Sequence, residues 1–152
     1  MIIKRVDIDT NSEFFKKIDE QAKQKSKYLM NYDQSGNKRT YEKKYHNTLR
    51  GMLAEAYTKI LLEQYIEKNK LHFSVIRYDD VRKDGFQSPE NEYDLKIIND
   101  ISNKEVSLES RSSVSKYKSK WDFIKTDNII GPYESKYKHH EKYNDFYIKK
   151  PI

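Results

Sequence analysis

The sequence predicts an α/β domain with a mixed β-sheet flanked by helices. Three observations predict it. An apolar stripe of helical period runs through residues 41–68. Three segments between 72 and 111 change to alternating apolar and polar residues. A last apolar run, Phe146-Tyr147-Ile148, lies near the end of the chain. Segments joined by short polar turns form a meander, and a further strand reached by a long connection extends the sheet. The 152 residues suffice for one core. No Pro/Gly-rich linker divides them, so the chain reads as a single domain: an N-terminal arm and helix over 1–40, then a core over 41–148.

The elements follow in order. Residues 1–9 alternate weakly and predict a short strand or an extended arm. Ser12 before Glu13, Phe14 and Phe15 is a helix start, because a serine hydroxyl can accept a bond from an unpaired N–H of the first turn; the helix is expected to reach about Tyr32. Asp33 to Asn37, with Gly36, is a turn. From Tyr41 to Lys68 the residues Leu49, Met52, Leu53, Ala56, Tyr57, Ile60 and Leu61 recur at i, i+3 and i+4. Leu62 and Ile66 fall on another side, near Glu55, so this helix is expected to be buried on more than one face, and Asn69 is its stop signal. Strands are expected over His72–Tyr78, Glu92–Ile98 and Lys104–Arg111. Arg82–Asn91 is a loop, and Asn99–Asn103 is the turn of a hairpin.

Composition narrows the function. No run approaches the roughly 18 apolar residues of a spanning helix, which excludes a membrane protein. There is no cysteine, which excludes disulfide frameworks, thiolate zinc sites and cysteine nucleophiles. Lys4, Arg5 and Asp7 interrupt any apolar leader after Met1, and a cytoplasmic location is expected. Thirty Lys and Arg against 24 Asp and Glu give a formal charge of +6. With 13 tyrosines and 6 phenylalanines, this basic chain suits a phosphate-bearing partner, whose counterions lysines displace and whose bases aromatic rings can stack on.

Acidic residues mark the chemistry. Glu55 is the only acid between Glu42 and Glu63 and lies in the most apolar part of its helix. Asp94 falls in the second strand segment, and Glu109 and Arg111 near the end of the third. Alternation puts Glu109 and Arg111 on one face and Leu108 and Ser110 on the other. Across a hairpin ladder neighbours lie about 5 Å apart, so Asp94 can approach Glu109. Two converging carboxylates call for a cation, and this oxygen-rich pair suits Mg²⁺ completed by water and phosphate. Singly, each of these residues also reads as an ordinary surface charge.

The arrangement Glu55 in Gly51-Met-Leu-Ala-Glu-Ala-Tyr57, Asp94 in Glu92-Tyr-Asp-Leu-Lys-Ile97, and Glu109-Ser-Arg111 resembles the PD-(D/E)xK nuclease superfamily. The resemblance covers about residues 41–148. It implies a restriction-endonuclease-like core with Mg²⁺, or Mn²⁺ in its place, held by Asp94 and Glu109 and supported by Glu55. It further implies cleavage of double-stranded DNA leaving a 5′-phosphate, as in a type II restriction endonuclease. One site per short chain is expected to act as a homodimer. Two departures stand out: Tyr93 occupies the position of the family's proline, and Arg111 that of its lysine. Arginine does not give up its proton near neutral pH. Either a metal-bound hydroxide suffices and Arg111 clamps the phosphate, or a lysine such as Lys96 or Lys116 reaches in, or the site has decayed and the chain only binds nucleic acid. Ser112, Ser113, Lys116, Lys118 and Lys120 just beyond it suit phosphate contacts, as do Lys136 and Lys138. A metal-free ribonuclease using His139 or His140 is a weaker alternative, since adjacent histidines point apart.

Overall fold

The computed structural model describes residues 7–33, 36–88, 93–113 and 144–151. Helix α1 spans Glu13–Tyr28, and the Ser12 hydroxyl accepts from the N–H of Phe15. It ends short of the expected Tyr32, since Leu29 is already extended at ψ 146°, and donors from elsewhere in the chain hold the carbonyls that follow. Lys44 Nζ donates to the Leu29 carbonyl at 3.1 Å, and Arg39 donates to those of Met30 and Asn31. Helix α2 spans Tyr41–Lys68, capped by Thr40 and closed at Asn69. Residues 7–9 are irregular, and 1–6 lie outside the described residues.

Strand β1 (Phe73–Arg77) runs directly into a one-turn helix, α3 (Tyr78–Val81), so Tyr78, expected to end the strand, opens a helix. After a loop come β2 (Leu95–Asn99) and β3 (Glu105–Ser113); β4 (Phe146–Pro151) is the last element. The sheet order is β1-β2-β3-β4. The first three strands form the expected antiparallel meander, and β4 joins β3 in parallel, which makes the sheet mixed. The β2–β3 hairpin turns where Asn99 Oδ1 accepts from the N–H groups of Ile101 and Ser102. Asn103 takes φ 54° there, a left-handed conformation that asparagine tolerates better than most residues.

Helix α2 is the central layer. Five consecutive residues, Met52 to Ala56, are buried, more than one helical turn, so the helix is enclosed on all sides at that level. Toward α1 it packs Met52, Leu53 and Ala56 against Ile18 and Ala22. Toward the sheet, Leu62 and Ile66 pack on Val75, Leu95 and Leu108. Phe86 completes the first cluster from the loop after α3, with φ 67° following Gly85 at φ 60°. A left-handed Phe is costly, about 1–3 kcal/mol; burial of the ring and an Arg82 guanidinium 4.8 Å from its centroid offset this. No helix among the described residues is long and apolar enough to cross a membrane.

Leu95 has no exposed surface and joins the sheet to α2. Leu95→Ala is therefore expected to lower unfolding free energy by about 2–5 kcal/mol. Ile101→Ala, at a hairpin position 75% exposed, should change it by less than about 0.5 kcal/mol. Urea unfolding followed by far-UV circular dichroism measures both.

Candidate active site

The segment Arg77-Tyr78-Asp79 gathers the site. Arg77, fully buried, donates from Nη1 to the Met52 carbonyl of α2 at 3.2 Å, one turn before Glu55. The N–H of Tyr78 donates to the Asp94 carbonyl at 3.1 Å. Asp79 Oδ2 accepts from Lys25 Nζ of α1 at 2.9 Å, and its Oδ1 accepts from Arg82 Nη1 at 3.0 Å. Three consecutive residues thus tie α2, the start of β2 and α1 to one end of the sheet.

Asp94 precedes β2 by one residue instead of lying inside it. Its backbone carbonyl is engaged by Tyr78, and its carboxylate does what a ladder bond would otherwise do: Oδ2 accepts from the N–H of Ser110 in β3 at 2.7 Å. The side chain is thereby oriented and buried, 8% exposed. The β2–β3 ladder ends at the Leu95–Leu108 pair, so Asp94 lies just beyond it and meets β3 through the Ser110 N–H and not through Glu109.

Glu55 is as buried as Asp94, and its Oε2 has no hydrogen-bond partner. An ionised carboxylate placed so is strongly disfavoured. Burial pushes the Glu55 carboxyl well above its usual range, and the Asp94 carboxylate and then Asp79 push it further; Lys25 and Arg77 oppose them. Glu55 and Asp94 therefore form an acidic pair at the end of the sheet, with the carboxyl of Glu55 held toward its neutral form.

Glu109 stands apart from this pair. Leu108 and Ser110 are buried and Glu109 is only half-buried, in keeping with the predicted alternation. Leu108 packs toward α2, so Glu109 belongs to the opposite face of the sheet from Glu55. Its Oε2 accepts from Asn144 Nδ2 at 3.3 Å. Among the described residues no three His, Asp or Glu side chains are grouped to hold a metal ion. The donors that do come together, one orphaned carboxylate oxygen and a second carboxylate, fit the sparse protein ligation typical of Mg²⁺, which keeps water and substrate phosphate for its other positions.

Of the other predicted residues, Arg111 pairs with Lys149, Ser112 with Lys150 and Ser113 with Pro151 along the parallel ladder; for these three the structure describes the backbone. Lys116, Lys118, Lys120, Lys136, Lys138, His139 and His140 lie outside the described residues. Lys96 is directed elsewhere: its Nζ pairs with Glu105 at 2.8 Å and sits 4.7 Å from the Tyr93 ring centroid. The sequence reading missed Lys25 and Asp79. A signal for Lys25 existed, since it follows Ile18 and Ala22 at helical spacing on the buried stripe of α1.

The raised Glu55 pKa sets the direction of a pH effect. From about pH 4.5 upward the unfolded chain loses this proton while the folded protein keeps it. Stability contributed by the neutral carboxyl is complete below that pH and is lost as pH rises through the folded-state value. Glu55→Gln cannot ionise, so its stability relative to wild type should rise between pH 4.5 and neutrality; urea titrations across that interval in EDTA check the sign. Compared with family models, curated proteins and solved structures, the chain matches none.

Proposed function

We propose that the chain is a metal-dependent endodeoxyribonuclease with a restriction-endonuclease-like core, hydrolysing phosphodiester bonds of double-stranded DNA in site-specific restriction. The observation that carries this reading is the buried Glu55 carboxyl, with an orphaned oxygen, beside an Asp94 carboxylate fixed by the Ser110 N–H. The element order, a long helix before a three-strand meander and then a parallel strand, is compatible with it. Asp94 and Glu55 would hold Mg²⁺ or Mn²⁺, while Glu109, on the other face of the sheet, stays with Asn144. When bound, the metal neutralises phosphate charge and acidifies a water.

The chain's own groups do the rest. The Ser110 N–H fixes the orientation of the Asp94 carboxylate, and the surrounding side chains exclude water from Glu55. Arg111, two residues beyond Glu109, stabilises negative charge on the phosphate without exchanging a proton. Ser112, Ser113 and the lysines that follow contact the DNA backbone. Action as a cytoplasmic homodimer, one site per strand, completes this reading. A second reading, a DNA- or RNA-binding module with a decayed site, is favoured by two observations: arginine at position 111 and the absence of a three-acid group among the described residues.

Supercoiled plasmid incubated with Mg²⁺, Mn²⁺ or EDTA decides between them. The nuclease reading expects nicking and linearisation that need metal, reduced at least about tenfold by Asp94→Asn or Glu55→Gln. It also expects Mg²⁺ at a hundred times its Kd to stabilise the fold by about 2.7 kcal/mol. Retarded but intact plasmid, the same for wild type and variants, would establish the binding module.

A further inference from the structure

The connection between α1 and α2 presents a second surface, remote from Glu55. Tyr28, Tyr32 and Tyr41 are 46%, 48% and 47% exposed. Of the exposed tyrosines among the described residues, Tyr65 alone lies elsewhere. All three lie on the segment 28–41, and the Tyr41 ring stacks on Tyr45 with centroids 6.5 Å apart and planes at 9°, which leaves its other face for a ligand. The scaffold beneath them is firmly built. Lys44, buried, donates from Nζ to the Leu29 carbonyl at 3.1 Å and to Asn31 Oδ1 at 3.0 Å. Arg39 holds the Met30 carbonyl at 2.8 Å, and the Tyr41 hydroxyl donates to the Lys23 carbonyl at 3.3 Å. Tyr32 is bridged to Lys38 in an antiparallel pair, which sets their side chains next to one another.

The charge around the rings has one dominant sign. Lys27, Lys38 and Lys43 are exposed. Glu42 is the one exposed acid among the described residues from 27 to 44. Asp33 is half-buried, its carboxylate accepting from the backbone and side-chain N–H groups of Asn37 at 2.8 and 3.3 Å. Exposed aromatic rings on a segment that also exposes three lysines match a polyanion that carries flat rings of its own. A duplex hides those rings in its stack; a single strand offers them.

We infer that the α1–α2 connection is a binding surface for single-stranded DNA, with bases stacking on Tyr28, Tyr32 and Tyr41 and phosphates meeting Lys27, Lys38 and Lys43. The surface stands on its own observations, and the choice of DNA as the nucleic acid rests on the nuclease reading above. Tyr41 lies fourteen residues before Glu55 on α2, about 21 Å along the helix axis. A strand held here can thus flank a target engaged at the acidic pair, at a distance of about six base steps.

The test measures fluorescence anisotropy of a labelled dT oligomer of about 15 nucleotides in EDTA, where no cleavage is needed; failure of the nuclease reading therefore leaves it unaffected. Replacing the three tyrosines by leucine keeps apolar bulk and removes the stacking face. It should weaken binding between about fivefold and a hundredfold for each base that loses its ring, while replacement by phenylalanine leaves it within about twofold. Duplex binding should be the same for all three proteins. Equal affinity of the leucine and wild-type proteins for the dT oligomer would overturn the proposal, and tighter binding of oligo-U than of oligo-dT would overturn the choice of DNA. Should the leucine protein fail to fold, Lys27→Gln/Lys38→Gln/Lys43→Gln decides. Its log affinity against log salt should be flatter by about 2 for three lost phosphate contacts, and an unchanged slope would sink the idea.

Discussion

Asp79 has no exposed side-chain surface, yet it carries an ion pair on each carboxylate oxygen, Lys25 on one and Arg82 on the other. Moving such charges out of water is expensive, and the arrangement is tolerated because every partner is matched and hydrogen-bonded. Lys25 belongs to α1, Asp79 to α3, and Arg82 begins the loop that delivers Phe86 to the core. Arg82 also grips Asp84 with two nitrogens, at 2.7 and 2.8 Å, and holds the Asp84 carboxyl well below its ordinary range. One buried carboxylate thus fixes how the N-terminal helix, the end of β1 and the loop meet.

The acidic pair inherits its character from this junction. Arg77 and Asp79 flank Tyr78, whose N–H holds Asp94, and both they and Lys25 act on the charge of Glu55. Burial and the Asp94 carboxylate are the leading influences on the Glu55 carboxyl and raise its pKa against the opposing Lys25 and Arg77. The Glu55 Oε2 oxygen and Arg77 Nε are both buried there without a hydrogen-bond partner. Native proteins rarely leave a buried polar atom without a partner, and where they do, a ligand that supplies the missing interaction is a physical explanation for it.

Much of the fold was legible from periodicity. Helix α2 was readable because the stripe from Leu49 to Leu61 is long and Asn69 marks its end, and the meander because apolar alternation is interrupted at polar segments. Element ends were less legible where the chain turns for tertiary reasons: Leu29 leaves α1 in extended geometry where Lys44 and Arg39 hold the connection, and the Ser110 N–H claims Asp94 before β2 begins. Residue α3 geometry at Tyr78–Val81 depends on the same kind of long-range partner, since its Asp79 and Asp80 meet Lys25, Lys17 and Lys59 from the two long helices. Propensity in a four-residue stretch cannot anticipate that.

The sequence by itself determined the α/β class, the antiparallel meander, the burial of α2 on more than one side and the choice of Glu55 as an acid in an apolar setting. Hydrophobic period and cap chemistry are local, and these features follow from them. Only the tertiary structure decided which acids meet. Glu55 and Asp94 come together because Arg77 and Tyr78 bind their respective elements, whereas Glu109, between the buried Leu108 and Ser110, leaves on the other face. Sheet pairing sets register but the packing of α2 sets which face is inside, and that packing is a property of the whole chain.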